Sequence, residues 1–291
     1  MFSEDRPDDY EILAATSHST VSRVSWKGID AVVKRSLHAR ENPLAKQRWC
    51  REVSMLKAVT NAVREGEGGR ISDPGCLSGA MADDGWRRDC LPQMLHHDED
   101  RLSIFLRHEA GVGLHRCVDE AGYTWLSNDG SRALWRQMAG GLSFLHARGI
   151  AHDDVKPENI IWDDGARRGV LVDFGAAHEV DRKAAFDMSG TPCYVPPEYL
   201  RRERSEKYDV WALGVTMCFA LGRIPLPDGE WFLPGVFTDR GAREEMEAWI
   251  GKIVGVGRGL GVGGDEVLVA RMLEEELGER ITAAELVSLL G

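Results

Sequence analysis

A chain of 291 residues, of which 43% are hydrophobic, is long enough to bury a large core as one large domain or two small ones. Its formal net charge of −11, from 36 Lys and Arg against 47 Asp and Glu, argues against non-specific binding to nucleic acids or anionic membranes. No apolar run approaches the length that spans a bilayer, so we expect no membrane insertion.

Cysteine usage and the N-terminal residues indicate the compartment. The six cysteines are scattered without Cys-x-x-Cys spacing, which argues against a zinc site and favours free thiols in a reducing compartment. Residues 1–9 form an acidic extension, whereas a secretory signal begins with basic and then apolar residues. We therefore expect a soluble protein of the cytoplasm or nucleus.

The N-terminal part of the chain is expected to contain two groups of strands. Residues 10–34 alternate short apolar and polar stretches across a turn at 27–30, which is typical of antiparallel strands. Residues 91–95 and 102–106 predict two further strands, joined by a turn at 97–100.

One helix is predicted between these strand groups. Asn42 and Pro43 are a favourable helix start, and the apolar periodicity continues to about Ala58. Glu52 lies on the apolar face of this helix, where an ionised carboxylate needs a partner. Lys34, at the end of the preceding strand, is the natural partner.

The rest of the chain contains one irregular segment and a series of helices. Residues 60–90 are rich in Gly, Asp and Arg and lack periodicity, so we expect an irregular, mobile segment there. Thr282 and Glu285 form a capping box that starts the last helix. Helices are predicted over residues 131–147, 210–221 (apolar on all sides), 243–254 and 266–276, with a glycine-rich loop at 255–264.

Two isolated carboxylates, Asp154 and Asp173, each lie beside a short apolar run of strand character. The polar residues 163–169 between these runs are typical of a hairpin loop. Pairing the two strands would bring Asp154, Asn159 and Asp173 to one edge of a small sheet. Two carboxylates and an amide oxygen suit Mg²⁺, a hard ion that takes oxygen ligands and shares them with phosphates.

This part of the chain resembles the catalytic loop and metal-binding motif of the eukaryotic protein kinases. Residues 152–159 match His-Arg-Asp-x-Lys-x-x-Asn, except that Asp153 replaces the arginine, and residues 173–175 match Asp-Phe-Gly. Residues 190–198 are similar to the family's Gly-Thr-x-x-Tyr-x-Ala-Pro-Glu, with a proline for the alanine. Residues 208–214 contain its Asp-x-Trp-x-x-Gly.

The resemblance covers residues 10–290 as a single domain and implies the fold class α+β, in the form of the bilobal protein-kinase fold. A small, mostly β N-lobe with one long helix would span residues 10–108 and include residues 60–90 as an insertion. A larger, mostly α C-lobe would span residues 109–290, and residues 1–9 would be an extension.

The family's catalytic roles apply to matching positions of this chain. Asp154 would accept or orient the proton of the substrate hydroxyl, and Lys156 would meet the charge that develops on the γ-phosphate of ATP. Asn159 and Asp173 would ligate Mg²⁺. His152 would pack internally as scaffold, without a role as general base.

The resemblance also implies positions that bind ATP. Lys34, held by Glu52, would fix the α- and β-phosphates. The other implied positions flank the phosphate-binding loop, line the adenine pocket or form the hinge: Leu13, Val21, Ala31, Leu106, Arg107, His108 and Glu109. Ala14, Thr16 and Ser19 stand where the family has glycines that let backbone amides approach phosphates. We therefore expect weaker or altered nucleotide binding.

The substrate type follows from the same resemblance. A lysine two residues after Asp154, with Gly190-Thr191 downstream, is similar to serine/threonine kinases, which implies a protein substrate with a Ser or Thr acceptor. Thr191 would bridge Asp154 and Lys156. Asp153 cannot bind an activation-segment phosphate as the family's arginine does, so we expect activity without phosphorylation of that segment.

Two alternatives stay open. The first is a pseudokinase, a scaffold or binding protein with little or no turnover, which the glycine-free loop and Asp153 favour. Against it stand the five intact family positions: Lys34, Glu52, Asp154, Asn159 and Asp173. The second is a kinase that acts on a small molecule. The segment 190–198 argues against it, because this segment binds peptide substrates in the family.

Overall fold

The computed structural model describes residues 11–16, 19–37, 43–68, 89–180, 186, 188–229, 231–260 and 266–291. These residues form two compact units, one within 1–80 and 92–109 and the other within 81–91 and 110–291. The acidic extension, the expected helix cap Asn42 and residues 69–88 of the expected irregular segment lie outside the described residues.

The first unit contains an antiparallel five-stranded sheet with the order β1-β2-β3-β5-β4. The expected tight turn between β2 and β3 is formed by Lys27 and Gly28, whose φ angles of 51° and 78° lie in the left-handed region. The strands are β1 (Glu11–Ala15), β2 (Ser19–Trp26), β3 (Ile29–Ser36), β4 (Met94–Asp98) and β5 (Ser103–Arg107).

The prediction placed the fourth strand and its turn too early. Pro92 lies in the predicted strand at 91–95 but has no N–H to donate to a sheet. His97, which the prediction places in the turn, pairs with β5, as does His96. The observed turn therefore lies at residues 99–102.

The helix that the structure describes in the first unit, α1 (Pro43–Gly68), is longer than predicted. Beyond Ala58, the side chains of Val59 and Thr60 are buried. The hydroxyl of Thr60 accepts a hydrogen bond from the backbone N–H of Met94 at 3.2 Å. The start of the expected irregular segment is therefore helical, because tertiary contacts hold it.

The second unit is mainly helical, so the predicted α+β class is confirmed. The helix Lys207–Ala220, named α3, is buried from Tyr208 to Ala220, as expected for a central helix. The helices are α2 (Asn128–His146), α3 (Lys207–Ala220), α4 (Arg240–Gly259), α5 (Val267–Met272) and α6 (Ala283–Leu290). The short strands are β6 (Val112–Gly113), β7 (Ile150–Ala151), β8 (Ile160–Asp163), β9 (Arg168–Leu171) and β10 (His178–Glu179).

The C-terminal ends of helices α4 and α5 differ from the prediction by several residues. Helix α4 continues into the expected glycine-rich loop, and a side chain at Gly257 would meet Leu273 at 3.0 Å, so this glycine allows close helix packing. Helix α5 ends before the predicted residue 276, and the carbonyl of Glu274 instead accepts a hydrogen bond from Arg280 at 2.9 Å. The predicted capping box of α6 is present. No described helix is both long and apolar enough to cross a membrane.

Candidate active site

A buried carboxylate on α3 holds the start of the loop at 152–159. Asp209 is fully buried and accepts hydrogen bonds from the backbone N–H groups of His152 and Asp153, at 2.8 and 2.7 Å. It also contacts Nε2 of His146 at 2.8 Å. The loop is thus bonded to the most deeply buried helix of its unit.

His152 is the internal scaffold that the sequence predicts. Its ring is fully buried and lies edge-on to Phe174, with 4.8 Å between ring centroids. Burial lowers the pKa of His152, while the charges of Asp209, Asp154 and Asp173 act against that shift. The two carboxylates expected at the site therefore lie close enough to act on the same imidazole.

The carboxylate of Asp154 lies at the centre of a hydrogen-bond network. The hydroxyl of Thr191 donates to Oδ1 at 2.7 Å, and Nζ of Lys156 lies 2.8 Å from Oδ2 and donates to Thr191 at 2.6 Å. The amide of Asn159 donates to the carbonyl and to Oδ2 of Asp154 at 2.8 and 2.9 Å. The bridge that we predicted from Thr191 to Asp154 and Lys156 is therefore present.

The predicted hairpin brings Asn159 and Asp173 to the same edge. Strands β8 and β9 pair antiparallel, and the N–H of Val172 donates to the carbonyl of Asn159 at 2.8 Å. Asp173 is exposed, and its Oδ1 accepts from the N–H of Gly175 at 3.1 Å. Because the amide N–H groups of Asn159 donate to Asp154, its amide oxygen is the atom it can offer to a cation. This donor set of amide and carboxylate oxygens fits Mg²⁺.

The first unit contains the predicted pair of Lys34 and Glu52. Nζ of Lys34 lies 2.7 Å from Oε1 of Glu52, and the two side chains are 18% and 9% exposed. Lys34 stands in the middle of the sheet, because β3 pairs with both β2 and β5. Glu52 lies on the buried face of α1, where this cation balances its charge.

The other predicted nucleotide positions lie on the same sheet and at its edge. Ala31 is fully buried on β3, whereas Leu13 is 44% exposed at a bulge in β1. The N–H of Arg107 donates to Gln93 at 2.9 Å and that of His108 to Asp30 at 3.1 Å, so these two hinge N–H groups are already engaged. The remaining predicted positions are Val21 on β2, Leu106 on β5, and Glu109 after β5.

Side chains close the hairpin where the family has glycines. The N–H of Thr16 donates to the carbonyl of Ser19 at 2.8 Å, and the N–H of Ser19 donates to the Thr16 hydroxyl at 3.0 Å. Ala14 pairs with Val21 in the ladder. These bonds engage two of the amides that a phosphate would otherwise meet.

Asp153 has a partner that sequence reasoning missed. Its buried carboxylate contacts the guanidinium of Arg204, and the hydroxyl of Ser189 donates to its Oδ2 at 3.2 Å. Nδ1 of His178 lies 3.8 Å from the same oxygen. Arg204 belongs to none of the recognised motifs, and the one available signal was that a buried carboxylate requires a cation.

A second buried ion pair stabilises the same unit. Arg280 donates to both oxygens of Glu198, at 2.6 and 2.8 Å, and both side chains are fully buried. The guanidinium also lies over the ring of Trp211, 5.0 Å from its centroid. This pair is structural and lies outside the Asp154 network.

Comparison with known proteins finds similarity to protein kinases. Residues 92–235 match the model of the protein kinase domain. The chain is 35% identical over 151 residues to CBL-interacting protein kinase 29 of Oryza sativa subsp. japonica, covering 47% of this chain and 33% of that protein. It is 35% identical over 135 residues to Aurora kinase of Schizosaccharomyces pombe, covering 45% and 37%.

A third relative is the ovarian-specific serine/threonine-protein kinase Lok of Drosophila melanogaster, with 36% identity over 111 residues, 35% of this chain and 23% of that protein. The chain thus matches about a third or less of the length of these relatives. Together with the α+β fold, these matches show that residues 92–235 of this chain are similar to the protein kinase domain.

Proposed function

We propose that this chain is a serine/threonine protein kinase, with a domain over residues 10–290, that transfers the γ-phosphate of ATP to a protein hydroxyl. The observation that carries this proposal is the network around Asp154, in which Lys156, Asn159 and Thr191 all bond to one carboxylate. These three bonds hold the carboxylate in one orientation. A general base needs such a fixed orientation, because it must lie within hydrogen-bond distance of the proton that it accepts.

Phosphoryl transfer asks the protein mainly for positioning and charge stabilisation. Asp154 would accept or orient the proton of the attacking hydroxyl. Lys156, whose ammonium lies beside it, would offset the negative charge that develops on the transferred phosphoryl group. In the first unit Lys34, oriented by Glu52, would fix the α- and β-phosphates.

Asn159 and Asp173 would hold Mg²⁺ through their side-chain oxygens. When bound, the ion would neutralise phosphate charge. The support for this assignment is that Asn159 lies just before β8 and Asp173 just after β9, at one end of this antiparallel pair. In addition, Asp154 fixes the orientation of the Asn159 amide.

Specificity for Ser and Thr is supported by Lys156 and Thr191, which are bonded to each other at 2.6 Å. The segment 190–198 that follows resembles the part of the family that seats peptide substrates. Glu158 is exposed, and its charge is compatible with basic residues near the acceptor.

We further propose that activity does not require phosphorylation of the activation segment. The support is Asp153, whose negative carboxylate already contacts Arg204 and would repel a phosphate. Activity should therefore survive treatment of the purified protein with a phosphatase, and abolished activity would refute this part of the proposal.

The test of the main proposal is transfer of radiolabelled γ-phosphate to the chain itself or to a generic basic protein, with Mg²⁺ present. We expect transfer to Ser and Thr, and a loss of about a thousandfold in Asp154→Asn, because the amide cannot accept the proton. Acid hydrolysis of the labelled protein and separation of its phosphoamino acids identify the acceptor. Equal labelling by wild type and Asp154→Asn would refute the proposal.

The hairpin of the first unit favours one second candidate, a pseudokinase. Thr16 and Ser19 engage each other's backbone groups where the family has glycines. On this candidate, nucleotide would bind weakly or not at all and no labelled phosphate would be transferred. Measuring binding of ATP with Mg²⁺ beside transfer separates a scaffold from an enzyme.

A further inference from the structure

The cluster around Asp153 carries an inference that rests on the proposed function and extends it. The Asp153 cluster consists of Asp153, His178, Ser189 and Arg204. We propose that Arg204 is a positioning residue for phosphoryl transfer. Arg204 contacts both Asp153 and Ser189. It thereby holds the loop at 152–159 against the segment that contains Thr191, the partner of Asp154.

The first observation is that Asp153 needs a cation where it stands. Its side chain has no exposed surface, and among the described residues its Oδ1 has no hydrogen-bond partner. Its φ of 68° is unusual for a residue other than glycine. A buried carboxylate is tolerated only when it is paired, and the guanidinium of Arg204 supplies the pairing.

The second observation is that Arg204 contacts two segments at once. Its guanidinium touches both the carboxylate of Asp153 and the hydroxyl of Ser189, and Ser189 donates to the same carboxylate at 3.2 Å. Two residues after Ser189 stands Thr191, which donates to Asp154. Ser189 and Thr191 of this segment therefore bond to the adjacent loop residues Asp153 and Asp154.

The third observation is that Arg204 lies just before the helix that anchors the loop. Five residues after it, Asp209 accepts the backbone N–H of Asp153. The side chain of Asp153 is thus tied to Arg204 while its backbone is tied to α3. Without Arg204, the backbone bond from Asp153 to Asp209 remains, so the fold can survive. The loop would lose only the side-chain contact that holds it against Ser189.

Removing Arg204 should therefore act on turnover more than on nucleotide binding. The uncompensated charge of Asp153 would lie next to Asp154 and repel it, which displaces the proposed base from Thr191. Lys34 and Glu52 belong to the first unit and are not part of this cluster. We expect kcat to fall and the KM for ATP to stay unchanged.

The experiment compares Arg204→Gln, Arg204→Lys and the double variant Asp153→Asn with Arg204→Gln. We expect Arg204→Gln to lower kcat about a hundredfold with the KM for ATP within about twofold of wild type. Arg204→Lys should restore part of kcat. The double variant should recover to within about tenfold of wild type, because it no longer contains a buried unpaired charge.

The matched control is Arg201→Gln, since Arg201 is three residues away and its ion pair with Glu203 is exposed. This variant should retain the kcat of wild type. An Arg204→Gln variant with wild-type kcat would overturn the inference. So would an equal loss in the double variant, which would mean that the residues serve only the fold.

Hydrogen exchange gives a readout that does not depend on turnover. In Arg204→Gln, amides of residues 188–195 should exchange about tenfold faster than in wild type, while those of Arg201→Gln should not change. If Arg204→Gln does not fold, Arg204→Lys is judged by the same two readouts. An inactive wild type would refute the proposed function, whereas the exchange rates would still decide whether Arg204 holds the segment.

Discussion

Two segments that the family resemblance assigns to phosphate chemistry are built in opposite ways. The loop at 152–159 is held by side chains, with His152, Asp153 and Asn159 buried and a network around Asp154. The hairpin of β1 and β2 is held mainly by backbone pairing, and all five residues of β1 are exposed. Substitutions in the loop should therefore disturb many contacts, whereas those in the hairpin should disturb few.

This contrast affects turnover and nucleotide binding differently. A loop with so many mutual bonds has its geometry before any substrate binds, which favours turnover. A hairpin that bonds to itself through Thr16 and Ser19 offers fewer amides to a nucleotide, which weakens binding. The expected enzyme therefore combines a well-ordered catalytic loop with a high KM for ATP.

The largest effect should come from Asp209→Asn. The amide cannot accept from both backbone N–H groups and His146, so we expect a loss of about 3 kcal/mol in the free energy of unfolding. Denaturant titration followed by circular dichroism measures this loss. The matched control is Asp239→Asn, at the exposed start of α4, which should cost less than about 1 kcal/mol. Equal losses of unfolding free energy in the two variants would show that the buried bonds of Asp209 stabilise the fold no more than the exposed cap at Asp239.

Next in size is Glu52→Gln, which removes the negative charge that pairs with Lys34 at 2.7 Å. We expect kcat/KM for ATP to fall about a hundredfold, because the ammonium would no longer be held in position. Glu99→Gln is the control, since Glu99 forms an exposed pair with Lys46 in the same unit. Unchanged kinetics in Glu52→Gln would show that the pair does not position Lys34 for phosphate.

The pH dependence of stability tests the buried His152. Burial lowers its pKa in the fold, so below about pH 6.5 the unfolded chain binds more protons than the folded chain. Stability should fall as the pH drops below that value, with a contribution from this residue of at most about 1.4 kcal/mol per pH unit. In His152→Gln the slope of unfolding free energy between pH 6.5 and 5 should be smaller. Parallel slopes for the two proteins would contradict the assignment.

The smallest effect on stability is expected in the hairpin. Replacing Thr16 and Ser19 by glycine should cost less than about 1 kcal/mol per site, because both are near the surface. The same change removes the Thr16 hydroxyl that accepts the N–H of residue 19, so this amide becomes available to the phosphates. The KM for ATP should therefore fall about fivefold. Thr238→Gly, at the exposed end of a turn in the second unit, should leave KM unchanged. A raised KM in the glycine variant would mean that the hydroxyls themselves bind nucleotide.

Local patterns and motif spacing predicted much of this molecule. The β8–β9 hairpin followed from two apolar runs around a polar loop, and the capping box of α6 from Thr282 and Glu285. The contacts of Lys34 with Glu52, and of Thr191 with Asp154, followed from the kinase resemblance. In each case the chemistry of the residue types leaves few other partners.

What escaped prediction depends on partners distant in the sequence. Helix α1 continues past Ala58 because Thr60 bonds to Met94, a contact that no local pattern shows. Gly257 lies within a helix despite its low propensity, because only a glycine permits the approach of Leu273. Arg204 escaped notice for the same reason, since its role depends on a carboxylate 51 positions earlier.

The burial of helix α3 ties catalysis to the integrity of the second unit. One carboxylate in its first turn fixes the two peptide groups that immediately precede the proposed base. Because those bonds couple the loop to the helix, we expect the proposed activity to be lost when the helix unfolds and not before. Heat inactivation and loss of ellipticity should occur over the same temperature interval, which makes a simple activity assay a sensor of folding.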